Sequence, residues 1–207
     1  MTGETTGKAT ATATGKTVRT RELVLLGLLT AIVFILQFVG AAIRFGPFSI
    51  TLVLMPIVIG AALIGIYAGA WLGLVFGFVV LLTGDANVFL TIHPFGTVLV
   101  VLLKGALAGF AAGAVYKLLC TKGKTLAAVV AGAVCPIVNT GIFIIGAYVF
   151  FLPTIVEWGE AAGYANATSF IFIGMIGLNF LFELGLNLVL SPVIVRLIQY
   201  GQDKRAA

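Results

Sequence analysis

The apolar residues of this chain run in long blocks with no strict alternation. Six blocks rich in Leu, Val, Ile, Phe, Ala and Gly, at about 22–42, 48–64, 66–83, 95–118, 125–151 and 169–198, are set apart by short polar breaks. About 20 such residues, wound as a helix, cross the hydrocarbon core of a bilayer. The pattern therefore predicts an all-α integral membrane protein, a compact bundle of six transmembrane helices over residues 22–198. The break between the second and third blocks is only Gly65-Ile66-Tyr67, which makes that boundary the weakest. Pro56 and Pro136 fall inside blocks and are expected to kink them. Residues 1–21, rich in Thr, Ala and Gly, read as a disordered tail, and residues 199–207 as a short one.

A second pattern lies within the blocks. Gly65, Gly69, Gly73 and Gly77 recur every four residues in the third, and Gly105, Gly109 and Gly113 do so in the fourth. Such spacing aligns each series on one helix face. Lipid gives helices little hydrophobic reason to associate, so small residues that allow close backbone approach do much of that work. Two long stripes argue for a packed bundle. A shorter stripe, Gly27 and Ala31 on the first block, fits packing inside the bundle better than docking to another membrane protein.

Composition narrows the class. The 207 residues are 61% hydrophobic and 9% charged, against about 25% charged in an ordinary soluble domain. That leaves too little polar surface for a soluble enzyme, and disorder is excluded by the apolar excess. The net charge of +5 is a matter of topology. Lys8, Lys16, Arg19, Arg21, Lys117, Lys122, Lys124, Arg196, Lys204 and Arg205 fall on one side of a six-span path, and Arg44 on the other. By the positive-inside rule both termini are cytoplasmic and the protein is a multi-pass protein of the cell membrane. Basic residues so placed make no phosphate-binding face, so no nucleic-acid partner is expected. Cys120 and Cys135 match no ligand spacing and read as free thiols. No cofactor or metal is expected.

Candidate chemistry lies where polar residues enter the spans. A charged side chain at mid-bilayer costs about 2.5–3.5 kcal/mol on insertion scales, so it needs a pair, a cavity or a task. Lys104 stands about nine residues into the fourth block from outside and Glu183 about fourteen into the sixth, roughly 14 and 21 Å deep. The two would either form a buried ion pair or line a polar pocket open to the outside. Asn179, Glu183, Asn187 and Ser191 recur every four residues on one face, and Asn139 adds an amide in the fifth block. These groups suit a small polar organic molecule. They suit ion conduction less, since no charged ring is present.

The outer loops hold Arg44, Phe45 and Phe48, then Asp85, Asn87, Phe89, His93 and Phe95, then Trp158 and Tyr164. Trp158 and Tyr164 read first as interfacial anchors. His93, the one histidine, reads as a hydrogen-bonding loop residue. The candidate binding set is Arg44, Asn87, His93, Lys104, Asn139, Asn179 and Glu183; no catalytic residue is expected. Gly15-Lys16-Thr17 lacks the first glycine of a phosphate-binding loop, that position being Thr10. No nucleophile stands beside a base at a recognisable spacing. If the protein transports actively, another subunit must hydrolyse ATP.

The stretch RFGPFSITLVLMPIVIGAALIG from Arg44 to Gly65, continuing through Gly69, Gly73 and Gly77, resembles the substrate-binding S components of energy-coupling factor (ECF) transporters. So does LKGALAGFAAG from Leu103 to Gly113, together with the chain length, six spans and cytoplasmic ends. The resemblance covers residues 22–198. It implies a subunit that captures a water-soluble vitamin or related micronutrient from outside, in a site closed by the loop after the first helix. It also implies partners: a transmembrane coupling protein and two ATPases. Small residues on the first helix face the coupling protein in that family, and here they would be Gly27 and Ala31. No riboflavin, thiamine or biotin signature is present; pantothenate- and folate-type ligands stay open. A ligand-free membrane scaffold or a self-sufficient small-solute carrier are the alternatives.

Overall fold

The computed structural model describes the backbone of residues 5–42, 44–45, 48–49 and 51–206, and the side chains of residues 20–42, 51–177 and 179–201. Helix α1 (Thr5–Ala42) begins within the expected tail and is apolar over Thr20–Ala42. A minimal hairpin follows, with β1 (Arg44–Phe45) antiparallel to β2 (Phe48–Ser49) and Phe45 opposite Phe48. The rest of the described chain is helical: α2 (Leu54–Leu63), α3 (Ile66–Thr83), α4 (Asn87–Ile92), α5 (Pro94–Leu119), α6 (Lys124–Phe150), α7 (Leu152–Ala161), the single turn α8 (Ala167–Ser169) and α9 (Gly177–Ala206). Residues Phe170–Met175, between α8 and α9, form a π-helical segment.

Five of these helices are long and apolar enough to cross a membrane: α1 over Thr20–Ala42, α3, α5, α6, and α9 over Asn179–Gly201. The expected second span is different. Only Leu54–Leu63 is helical there, and ten residues rise about 15 Å, half a hydrocarbon core. Eight of the ten are buried, including Leu54, Ile57 and Val58. A helix apolar on all sides belongs inside protein, and α2 sits among α1, α3, α5, α6 and α9. Pro56 lies in its first turn, where a missing N–H costs no helical hydrogen bond, so the expected kink has no cause there. Pro136 is interior to α6, as expected, and Pro192 is interior to α9.

The two glycine stripes meet each other. α3 and α5 run antiparallel, and a Cβ built on Gly69 would come 2.5 Å from the Gly109 carbonyl oxygen, one on Gly77 2.6 Å from that of Val101. Between them, Gly73 and Gly105 face each other so closely that a Cβ on either would strike the other's carbonyl. Gly113 continues the seam against the Ile66 backbone. Gly65 does not belong to it. It turns the chain from α2 into α3 at φ 138°, a conformation open to glycine. Nor does Gly27 pack inside the bundle: nothing lies within 4 Å of where its Cβ would be, and Ala31 is exposed as well.

The bundle has two chemically distinct ends. Gly201 near the close of α9 meets Leu63 at the end of α2, and Leu63 borders a shallow cleft with Tyr116 and Lys117. At the opposite end Gln37 of α1 reaches Asp85, just after α3. There α4, α7 and the π-helical segment build a second, smaller apolar cluster from Phe89, Phe151, Ile155, Ile171 and Met175. Trp158 packs edge-on to Phe89, with centroids 6.1 Å apart, and Tyr164 lies against Phe170 at 5.2 Å. Both aromatics therefore make protein contacts in addition to any interfacial role.

Candidate ligand-binding cavity

Between α1, α3, α4, α5, α6 and α9, at the end away from Lys117, lies a cavity of about 100 Å3. A water needs roughly 10–15 Å3 measured in this way, so the space holds several. Its polar lining comes from Gln37, Thr51, Asp85, Lys104, Asn139, Thr140, Asn179 and Glu183. Its apolar walls are aromatic, with Phe76, Phe89, Phe143 and Phe180 from four different elements.

Local sequence explains how each group gets there. Lys104 is one residue before Gly105, so the α5 face that carries it is turned from the glycine seam by one helical step. Its ammonium lies 5.7 Å from the Phe76 ring centre and 5.8 Å from that of Phe143, within the range of a cation–π attraction. Glu183 is 2% exposed. It accepts a hydrogen bond from Asn179 Nδ2 at 3.3 Å, one turn earlier on the same face. Below it Asn187 Nδ2 donates to the Glu183 backbone carbonyl at 2.9 Å. The upper half of the polar stripe thus lines the cavity, while Asn187 and Ser191 continue it into the buried core. Among the described residues no ion pair within 4 Å joins Lys104 to a carboxylate.

The π-helical segment helps to shape the mouth. Ile176 N–H donates to the Ile171 carbonyl five residues back at 2.9 Å. This wider turn brings Met175 and Ile176 to the lining. Single π turns inside long helices often mark functional positions.

Gln37 was invisible to sequence reasoning as a site residue. It is 2% exposed, donates from Nε2 to Asp85 Oδ2 at 2.9 Å, and leaves Oε1 without a partner. The single proton of Thr83 Oγ1 is shared between the same carboxylate oxygen at 3.3 Å and the Val80 carbonyl at 3.2 Å. The one sequence signal was an amide inside an apolar span; its partner, 48 positions away, is a tertiary fact. Thr51 and Thr140 were likewise missed, being small hydroxyls of a kind that transmembrane helices carry freely.

Of the seven expected binding residues, four come together here: Lys104, Asn139, Asn179 and Glu183. Asn139 is 5% exposed, and its Oδ1 has no partner. Asn87 and His93 do not join them. Asn87 is exposed at the start of α4. His93 caps α5, its Nδ1 accepting from Gly96 N–H at 2.9 Å, with Pro94 as the first helical residue. Its ring rests 5.3 Å from that of Phe150. Arg44 has its backbone in β1, and its side chain lies outside the described residues.

The described helices form an apolar bundle around a polar, aromatic-walled cavity. The chain belongs to the family described as ECF transporter, substrate-specific component, whose model matches residues 21–195. Members of that family are substrate-binding membrane subunits, and ATP hydrolysis resides in other subunits. No curated protein matches the chain in sequence. In structure it is similar to ThiT from Listeria monocytogenes, at a TM-score of 0.60 and 19% identity, covering 87% of this chain and 98% of that one. At that identity the likeness concerns the fold alone.

Proposed function

We propose that this protein is the subunit of an ATP-driven importer that captures a water-soluble vitamin or related micronutrient from outside the cell. The observation that carries the reading is that Lys104 and Glu183 face one polar cavity without pairing to each other. A ligand-free scaffold would do better to pair them, since an unpaired buried charge is costly. It would also leave Gln37 Oε1 and Asn139 Oδ1 buried without partners, at about 1–3 kcal/mol each. A bound ligand would supply partners to Lys104 and Glu183 and bring donors to the lining residues Gln37 and Asn139.

Orientation supports the same reading. The cavity lies at the end of the bundle away from Lys117, and therefore away from the basic loop that continues with Lys122 and Lys124. With basic loops inside, the cavity opens outward and both termini are cytoplasmic. The buried α2 then counts as the sixth, shortened span. Gln37, Thr51, Lys104, Asn139, Asn179 and Glu183 contact the ligand, and Arg44, in the segment after α1, is a further candidate.

Delivery needs a transmembrane coupling protein and two ATPases. The exposed face of α1 that carries Gly27 and Ala31, flanked by Leu23, Val24, Leu28 and Ile35, is the docking surface. Gly27→Leu should leave ligand binding unchanged and abolish co-purification with the coupling protein.

The deciding experiment is mass spectrometry of small molecules released on denaturing protein purified from cells grown in rich medium. One vitamin-like compound in near-stoichiometric amount is expected. A folded, monodisperse protein that carries nothing and is stabilised by no vitamin would overturn the proposal.

A further inference from the structure

The hydrogen-bonding state of the cavity constrains what fits it. Both described carboxylates in the lining already have donors: Asp85 takes Gln37 Nε2 and the Thr83 hydroxyl, and Glu183 takes Asn179 Nδ2. Lys104, the one cation among the described lining residues, feels the attraction of Glu183 and Asp85 at longer range, and its close contacts are the faces of Phe76 and Phe143. An ammonium carries three N–H donors, and ring faces satisfy it far less than an anion does. Lys104 is therefore the charged group of the described lining with no counter-ion within 4 Å.

The unmet neutral group is an acceptor. Gln37 is held with its amide nitrogen on a carboxylate. A carboxylate accepts and cannot donate, which fixes the amide orientation. The orphaned atom is then the carbonyl oxygen Oε1, buried on a residue of the cavity lining. It calls for an N–H or O–H donor on the ligand, as does the remaining capacity of Glu183.

A multiply charged anion fits poorly. Asp85 and Glu183 stand in the same lining as Lys104, so each negative charge beyond the one that Lys104 pairs adds repulsion from two carboxylates. Phosphate recognition ordinarily gathers several donors, Arg forks or helix N-termini among them.

From these three facts, and resting on the importer reading above, the geometry points to a ligand that is a small, unphosphorylated organic acid with a single carboxylate. That carboxylate pairs with Lys104, hydroxyl or N–H donors turn to Gln37 Oε1 and Glu183, and the apolar part lies between Phe89, Phe143 and Phe180. Lys104 and Gln37 are thereby the residues that determine specificity.

The test uses the full-length protein in detergent or nanodiscs and a panel of named probes. The monoacids pantothenate, nicotinate and biotin are titrated against the carboxylate-free pantothenol and nicotinamide. Folate serves as a diacid, thiamine as a cation and riboflavin as a neutral ligand. One monoacid should bind, and the same molecule without its carboxylate should bind at least about 30-fold more weakly to the unaltered protein. Lys104→Met should erase that difference, weakening the acid and leaving its neutral counterpart nearly unchanged. Lys104→Arg keeps the charge and should keep the preference, and it reads the same point if the methionine variant does not fold. Gln37→Met should weaken acid and neutral counterpart alike.

Tightest binding of folate, riboflavin, thiamine or a carboxylate-free probe would overturn the ligand class while leaving the importer reading in place. So would a Lys104→Met protein that still prefers the acid. A folded protein that binds no probe and releases no small molecule on denaturation would overturn both.

Discussion

The seam between α3 and α5 and the cavity beside it are built on the same four-residue period, yet they end in opposite states. Along the seam, Gly69, Gly73 and Gly77 meet Gly109, Gly105 and Val101 so closely that a Cβ on any of the three glycines would strike backbone. Along the stripe of α9, Asn179 and Glu183 face open space, with Gln37 Oε1 and Asn139 Oδ1 orphaned across it or nearby. Close backbone contact is how a membrane bundle gains stability where lipid offers little hydrophobic drive. Polar atoms without partners cost stability. The bundle is thus stiff along one side of α5 and incomplete along the next, and a missing partner at a fixed position is what a binding site requires.

That contrast breaks most easily at its closed side. Gly73→Val puts a branched side chain where the Gly105 carbonyl lies. Overpacking of this kind costs typically about 1–3 kcal/mol and more where backbone must move. Here the obstacle is backbone, so the expected outcome is loss of the monodisperse peak in size-exclusion chromatography, with or without ligand. A variant that folds and melts like the parent would mean the seam is looser than described.

The open side should respond in the other sense. Glu183→Gln removes a buried carboxylate from among polar partners and keeps the shape. The neutral amide relieves the desolvation of the carboxylate but takes from Lys104 the attraction of Glu183, so thermal stability without ligand should change little. Ligand affinity should fall at least about tenfold, since a charge-assisted hydrogen bond becomes a neutral one. Calorimetry beside a melting curve separates the two effects. A parallel fall in both would assign Glu183 to the structural side.

His93→Ala gives the smallest expected change and sharpens where the site ends. It removes the cap on α5, worth about 1 kcal/mol. A melting temperature a few degrees lower with unchanged affinity is expected. A large loss of affinity would bring His93 into the site from which its capping geometry separates it.

Much of this was legible along the chain, and what was not has a common cause. The blocks around α1, α3, α5 and α6 stand out because burial in lipid demands long apolar runs, and their ends fall within about two residues of the apolar helices observed, whereas the block expected at 169–198 begins in the π-helical segment and its α-helix starts only at Gly177. α2 was misjudged in length because an apolar run does not say whether lipid or protein will surround it. Asn87 and His93 sit in the right loop for the site and point elsewhere, since loop side-chain direction follows from local turns and caps that composition does not reveal. Gln37 was missed for the opposite reason, having an unremarkable place in a span and a decisive partner far along the chain.

What the sequence determined by itself is therefore set by local rules. Hydropathy defines the helices, the basic clusters favour one orientation, and period four aligns the glycines and the polar stripe. Only the tertiary structure decided which stripes meet, that α2 is buried on all sides, that Gly27 stays on the surface, and that Lys104 and Glu183 share a cavity without joining. Those outcomes depend on helix rotation and approach, which arise from contacts among many distant residues and leave no periodic trace in any one of them.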